Sequence, residues 1–195
     1  MVQIAIMMIC WLVNSLVYYG ITLNSDSLGQ DIYSNTKYTG LAEMPGYLIC
    51  MILMNSKLGK KNTLIILMLL CGICCLVLDQ LHAIGAAKLK LSLLAKMMIS
   101  GTFALIYPYT CEIFPTEMRS ISLGCCSMAA RIGGILAPFA GQIGKLLLGE
   151  EDDNSIFLIY AVLSLSSGAL CFKLPRSGQD DKKKEEDSIP LLESE

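Results

Sequence analysis

The chain has 195 residues, of which 54% are hydrophobic and only 16% charged, with a formal net charge of −2. A soluble domain averages about 45–50% apolar and about 25% charged residues, and here the apolar residues sit in long blocks that leave almost nothing for a water-soluble core. The composition therefore excludes an ordinary soluble domain, and no basic surface suited to nucleic acid is present.

A helix of about 20 apolar residues crosses the roughly 30 Å hydrocarbon core of a bilayer. Six such spans are read in chain order at residues 4–23, 32–54, 63–78, 91–113, 121–148 and 156–172. The lipid bilayer is thus the first partner implied. The third and sixth spans are short and are expected to recruit flanking residues or to stand nearly upright. Met1 to Trp11 carries no Lys or Arg, unlike a secretory leader, and reads as part of a mature helix. The connections are short, so successive helices are antiparallel neighbours. Lys57, Lys60, Lys61, Arg119, Lys173, Arg176 and Lys182 to Lys184 fall on one side; Lys88, Lys90 and the acidic run from Glu150 to Asp153 fall on the other. The positive-inside rule then places both termini in the cytoplasm. Residues 1–174 form the six-helix unit and residues 175–195 a charged tail without a core-forming run, expected to be disordered. Within it, Asp187 to Leu192 resembles an acidic dileucine signal read by trafficking adaptors; an inert solvated tail is the alternative.

Ionisable groups amid the spans are the informative residues, because each is unfavourable by about 2.5–3.5 kcal/mol at the bilayer centre. Arg131, a third of the way into the fifth span, can pair with a carboxylate of another helix or hold an anionic substrate in a wet cavity. The alternative is a snorkelling or purely structural charge. Glu43 is its natural counter-charge, and Tyr47, four residues on, shares its helix face. Pro45 and Gly46 loosen the backbone there, either as a broken-helix binding site or as a packing kink. In the first span Trp11, Ser15 and Tyr18 fall on one face, with Tyr19 adjacent. Such rings hold organic cations through cation–π contact or serve as interface anchors. Lys96 and Lys37 are expected at the interface, snorkelling outward. Gly133, Gly134 and Pro138 suit close helix approach.

Nine cysteines accompany a single histidine, His82. Cys71, Cys74 and Cys75 lie inside an apolar run and Cys125 and Cys126 adjoin another, so they read as small hydrophobes rather than ligands. No metal or other cofactor is expected. The spans hold no paired catalytic carboxylates and no serine-based motif, so the chain does not read as an enzyme.

The segment Tyr109-Thr110-Cys111-Glu112-Ile113-Phe114-Pro115-Thr116-Glu117-Met118-Arg119 resembles the signature between the tenth and eleventh helices of the organic cation, anion and carnitine transporters of the major facilitator superfamily. The resemblance extends through Tyr18-Tyr19-Gly20, Asp31-Ile32-Tyr33, Glu43-Met44-Pro45, Leu58-Gly59-Lys60-Lys61, Ser127 to Gly133 and Leu174-Pro175. These fall in the order of helices seven to twelve, the C-terminal half of such a carrier. It implies a plasma-membrane carrier working by alternating access on a small organic ion, the cavity lying between two six-helix halves. Arg131 matches a position where anion and carnitine carriers have arginine and cation carriers aspartate. Tyr47 matches one where many anion carriers have lysine. With Glu43 present, a zwitterion or mixed selectivity fits best. The resemblance further implies that Lys60, Lys61, Glu112, Glu117 and Arg119 form a cytoplasmic charge network that helps to close that side. Lysines replace the family's usual arginines at 60 and 61, which weakens forked contacts. A lone half does not enclose a cavity, so either a fragment or a short form needing the missing N-terminal half or another carrier subunit is implied. The alternative is a non-transporting membrane partner that binds or regulates a full-length carrier.

Overall fold

A computed structural model describes residues 2–24, 32–80, 86–142 and 155–175; the tail expectation and Asp187 to Leu192 lie outside them. Six helices account for nearly all of these residues: α1 (Val2–Asn24), α2 (Ile32–Asn55), α3 (Gly59–Gln80), α4 (Ala86–Ile113), α5 (Arg119–Leu136) and α6 (Ser155–Cys171). A short 3-10 turn at Ala137–Phe139, where Pro138 removes a backbone donor, follows α5. The sixfold reading of the sequence matches the observed elements. The third helix does recruit flanking residues, running to 22, whereas α6 stays short at 17, about 25 Å long.

Four segments are long and apolar enough to cross a membrane: Val2–Asn24, Gly59–Gln80, Ala87–Ile113 and Arg119–Gln142. The helix α6 falls short in length. The 24 residues of α2 are long enough, but Asn35, Lys37 and Glu43 dilute their apolar character.

Helix pairing defines two rows. The helix α1 packs most extensively on α5 and also on α4 and α6, while α4 packs on α2 and α3, and α3 on α6. The order α2–α4–α1–α5 thus forms a front row, with α3 and α6 behind it. End contacts show the antiparallel register. At one end Lys60 at the start of α3 pairs with Glu112 near the end of α4, and Tyr109 donates to the Pro175 carbonyl at 2.9 Å. At the other, Asn24 donates to the Tyr160 hydroxyl at 3.1 Å and Lys88 lies 6.0 Å from the Phe157 ring centroid.

Two apolar clusters fill the interior. Met7, Leu64, Met68 and Ile106 lie toward the first end; Val17, Ile21, Leu78, Ile99 and Phe157 lie toward the second. The nine cysteines are free, and Cys10, Cys50, Cys71, Cys75, Cys126 and Cys171 are buried. Outside, Ile52, Met128, Ile135 and Val162 are exposed, an apolar exterior suited to lipid or to another membrane subunit. Some hydroxyls inside the helices are satisfied locally, as Ser100, Thr102 and Thr110 each bond the carbonyl four residues back, whereas the buried Ser122 and Ser167 hydroxyls have no hydrogen-bond partner among the described residues.

Close approach in the front row depends on glycine. A Cβ at Gly46 would lie 2.4 Å from the Met97 carbonyl oxygen of α4, and one at Gly133 would lie 2.2 Å from the Leu12 carbonyl oxygen of α1. The helix α2 runs unbroken through Pro45, so this Pro–Gly pair forms a tight α2–α4 crossing rather than a broken-helix site. Gly59, with φ 74°, makes the left-handed turn between α2 and α3.

Candidate substrate-binding face

Three helices of the front row bring their polar and aromatic residues together at mid-depth. On α1, Trp11, Ser15, Tyr18 and Thr22 repeat at helical spacing. On α2, Asn35, Thr39, Glu43 and Tyr47 repeat every four residues and so share one face. On α4, Lys96, Phe103, Tyr107 and Thr110 do the same at intervals of seven, four and three.

The centre is the Glu43 carboxylate. Its Oε1 accepts the Tyr18 hydroxyl at 2.6 Å and lies 3.1 Å from the Lys96 ammonium. Its Oε2 accepts a longer bond of 3.3 Å from the Tyr47 hydroxyl. The Lys96 Nζ also donates to Thr22 Oγ1 at 2.7 Å and to the Tyr18 carbonyl at 3.4 Å, and lies 3.1 Å from the Tyr18 ring centroid. A carboxylate, a hydroxyl, a carbonyl and a ring face thus surround the Lys96 ammonium, groups of the kind that recognise cations. The Lys96 side chain is 1% exposed and that of Glu43 21%, so the cage opens on the carboxylate side.

An aromatic row extends from this pair. The Tyr18 ring contacts Tyr19 at 5.3 Å and Phe103 at 5.4 Å between centroids, and Tyr107 stands 4.4 Å from Trp11 in edge-to-face geometry. Trp11 is buried and its Nε1 donates to Thr110 Oγ1 at 3.0 Å.

These positions correct two sequence expectations. Lys96 does not snorkel: α4 begins at Ala86 rather than near residue 91, so Lys96 lies ten residues inside it, about 15 Å from its start. At that depth a lysine needs an internal counter-ion. Glu43 therefore pairs with Lys96 and not with Arg131. The row geometry explains why, since α2 packs on α4 and α5 on α1, placing the two residues on opposite flanks. Lys37 is exposed.

Arg131 is exposed and, among the described residues, has no carboxylate partner. Together with Tyr19, Gly134 and Ile135 it lines a shallow, open depression of about 340 Å³. The face thus carries a bound ion pair on one flank and a guanidinium beside a tyrosine on the other.

The residues read as a charge network are only partly brought together. Lys60 pairs with Glu112. Lys61 instead donates to the carbonyls of Phe172, at 2.9 Å, and Leu174 beyond the C-terminal end of α6, where a cation also complements the helix dipole. Glu117 and Arg119 are exposed and take no part in either pair.

Sequence reading missed Lys96, Thr22, Phe103, Tyr107 and Thr110 as members of this face. The seven–four–three spacing along α4 was the available signal.

Comparison with known proteins bears on this arrangement. The family model of the Major Facilitator Superfamily matches residues 6–194. Solute carrier family 22 member 15 of Xenopus tropicalis is 40% identical over 180 residues, covering 88% of this chain and 33% of that protein. The organic cation transporter protein of Drosophila melanogaster is 34% identical over 168 residues, covering 86% of this chain and 30% of that protein. Organic cation/carnitine transporter 4 of Arabidopsis thaliana is 34% identical over 166 residues, covering 84% and 30% respectively. The chain therefore spans about a third of the length of these relatives. In fold it matches a crystal structure of a D-xylose-proton symporter with a TM-score of 0.72 at 11% identity, covering 98% of this chain and 52% of the symporter. With an all-helical unit that fits one half of a carrier and a family match over nearly its whole length, the chain belongs to the major facilitator superfamily, a family of membrane transporters and not of enzymes.

Proposed function

We propose that this six-helix unit serves as the C-terminal half of an alternating-access carrier for small organic ions, the second cavity wall coming from another six-helix half. The observation that carries this reading is the Glu43–Lys96 pair at mid-depth, flanked by aromatic rings and opening on the same front row as Arg131 beside its open depression. A buried ion pair is a weak stabiliser compared with well-packed apolar residues, and intramembrane ionisable groups mark substrate or ion pathways by default. The names of the relatives, organic cation transporter and organic cation/carnitine transporter, support the substrate class. Arg131 would receive a carboxylate, Glu43 with Tyr18, Tyr19, Tyr47 and Trp11 would receive or border the cationic end, and a zwitterion would engage both flanks.

At the opposite end of α4 the Lys60–Glu112 pair and the Lys61 contacts would latch the cytoplasmic side, with Glu117 and Arg119 free to meet the other half. Both termini would be cytoplasmic in the plasma membrane, and Asp187 to Leu192 would offer a trafficking adaptor its signal. The test is uptake of labelled carnitine, organic anions and organic cations in cells expressing the chain together with the N-terminal half of a relative. Arg131→Asp is expected to lower anion and zwitterion uptake relative to cation uptake. Unchanged relative fluxes would remove Arg131 from the site.

A further inference from the structure

The ammonium of Lys96 sits where an organic cation would be expected to sit. Its three N–H donors meet three oxygens, those of Glu43, Thr22 and the Tyr18 carbonyl, and its fourth neighbour is the Tyr18 ring. That set saturates the hydrogen-bonding capacity of a primary ammonium. The carboxylate is different. Glu43 is the more exposed partner, and among the described residues its Oε2 accepts only the 3.3 Å bond from Tyr47, while a carboxylate has about four acceptor positions. A solute entering from the front row meets Glu43 before it meets Lys96. Lysine also suits a movable role, being a compact charge on a flexible stem where arginine is a rigid fork.

We propose that Lys96 is a resident, displaceable counter-ion that holds the cation subsite of Glu43 and thereby sets the charge preference of the carrier. This rests on the reading that the face of α1, α2 and α4 meets the substrate. Charge balance then selects the ligand class. Glu43 and Lys96 together are neutral. A lone organic cation that takes Glu43 leaves the lysine charge buried without a partner, an unfavourable state in a low-dielectric interior. A lone anion drawn to Lys96 strands the carboxylate in the same way. A zwitterion with an ammonium and a carboxylate leaves nothing unpaired, since its ammonium takes Glu43 and its carboxylate, drawn to the front row by Arg131, also gives the released Lys96 a partner.

The proposal is tested on the purified chain in detergent, without transport. In Lys96→Met the cage keeps its carboxylate, hydroxyl and ring but loses its occupant. Butylammonium chloride, a free copy of the lysine end, is expected to raise the Tm of this variant in a concentration-dependent manner, compared with sodium chloride at equal ionic strength. It is expected to leave the wild type and Lys96→Met/Glu43→Gln unmoved. The mirror variant, Glu43→Gln, frees the ammonium and is expected to be stabilised by sodium propionate, which keeps the test open if Lys96→Met does not fold. Absence of both effects, or equal stabilisation of the wild type, overturns the proposal. In the co-expressed uptake assay, Lys96→Met is expected to raise tetraethylammonium uptake relative to carnitine uptake by about tenfold, the worth of one charge-assisted contact. A rise in Tm with no flux of any solute would retain the counter-ion role and refute the carrier reading instead.

Discussion

Adding one methyl group at Gly133 tests whether the front row is assembled by backbone contact. The new Cβ of Gly133→Ala would lie 2.2 Å from the Leu12 carbonyl oxygen, 3.1 Å from its carbon and 3.2 Å from the Leu16 nitrogen. These are main-chain atoms of α1, so no side-chain rotation relieves the overlap and α5 must retreat. Because α5 packs chiefly on α1, a retreat loosens most of its attachment. Overpacking of this kind is unfavourable by about 1–3 kcal/mol, while alanine in place of a helical glycine contributes about 1 kcal/mol of stability. The net change is a loss of roughly 0–2 kcal/mol. Gly124, on the same helix, is the internal control: a Cβ there meets nothing within 4 Å, so Gly124→Ala retains the helical gain alone. The two variants should therefore differ by about 1–3 kcal/mol, measured by thermal unfolding or by titration with a denaturing detergent. Equal stability of Gly133→Ala and Gly124→Ala would refute the argument, since it would mean that α1 and α5 do not touch at their backbones.

Three further outcomes are expected. Thr110→Val removes the acceptor of the Trp11 indole N–H and should lower stability by about 1–3 kcal/mol, the penalty of an unpaired buried donor; Trp11 is the sole tryptophan, so its fluorescence reports the change directly. Reversing one charge, as in Lys60→Glu or Glu112→Lys, should destabilise the end of α4, and the double reversal should recover most of the loss; a double-mutant cycle with a coupling energy indistinguishable from zero would show that the partners do not interact. A maleimide reagent should label Cys74, Cys111 and Cys125, which are partly accessible, before Cys10, Cys71 and Cys171, with the order abolished on unfolding.

Element type was legible from the chain itself because lipid permits few solutions: long apolar runs must satisfy their own backbone hydrogen bonds and so become helices. The shared face of Glu43 and Tyr47, and that of Trp11, Ser15 and Tyr18, followed from the 3.6-residue turn alone. The motif ending at Arg119 was enough to suggest the family. Depth was harder to read. Residues 86–90 include Lys88 and Lys90, which made the start of α4 look like a loop, and shifting that start by five residues moved Lys96 from the interface to the middle of the helix.

Pairing between helices belonged to the tertiary structure. A charge read from sequence has no direction, so Glu43 was matched to Arg131 and Lys96 was assigned to the interface, whereas the packing of α4 between α1 and α2 brings Lys96 within 3.1 Å of Glu43. The same packing left Arg131 on the opposite flank beside Tyr19. Composition and periodicity thus determined that the chain forms helices in a membrane and which residues share a face. Which faces meet was decided by Gly46 and Gly133, where the absence of a side chain lets backbones approach and so selects one arrangement of helices over the others.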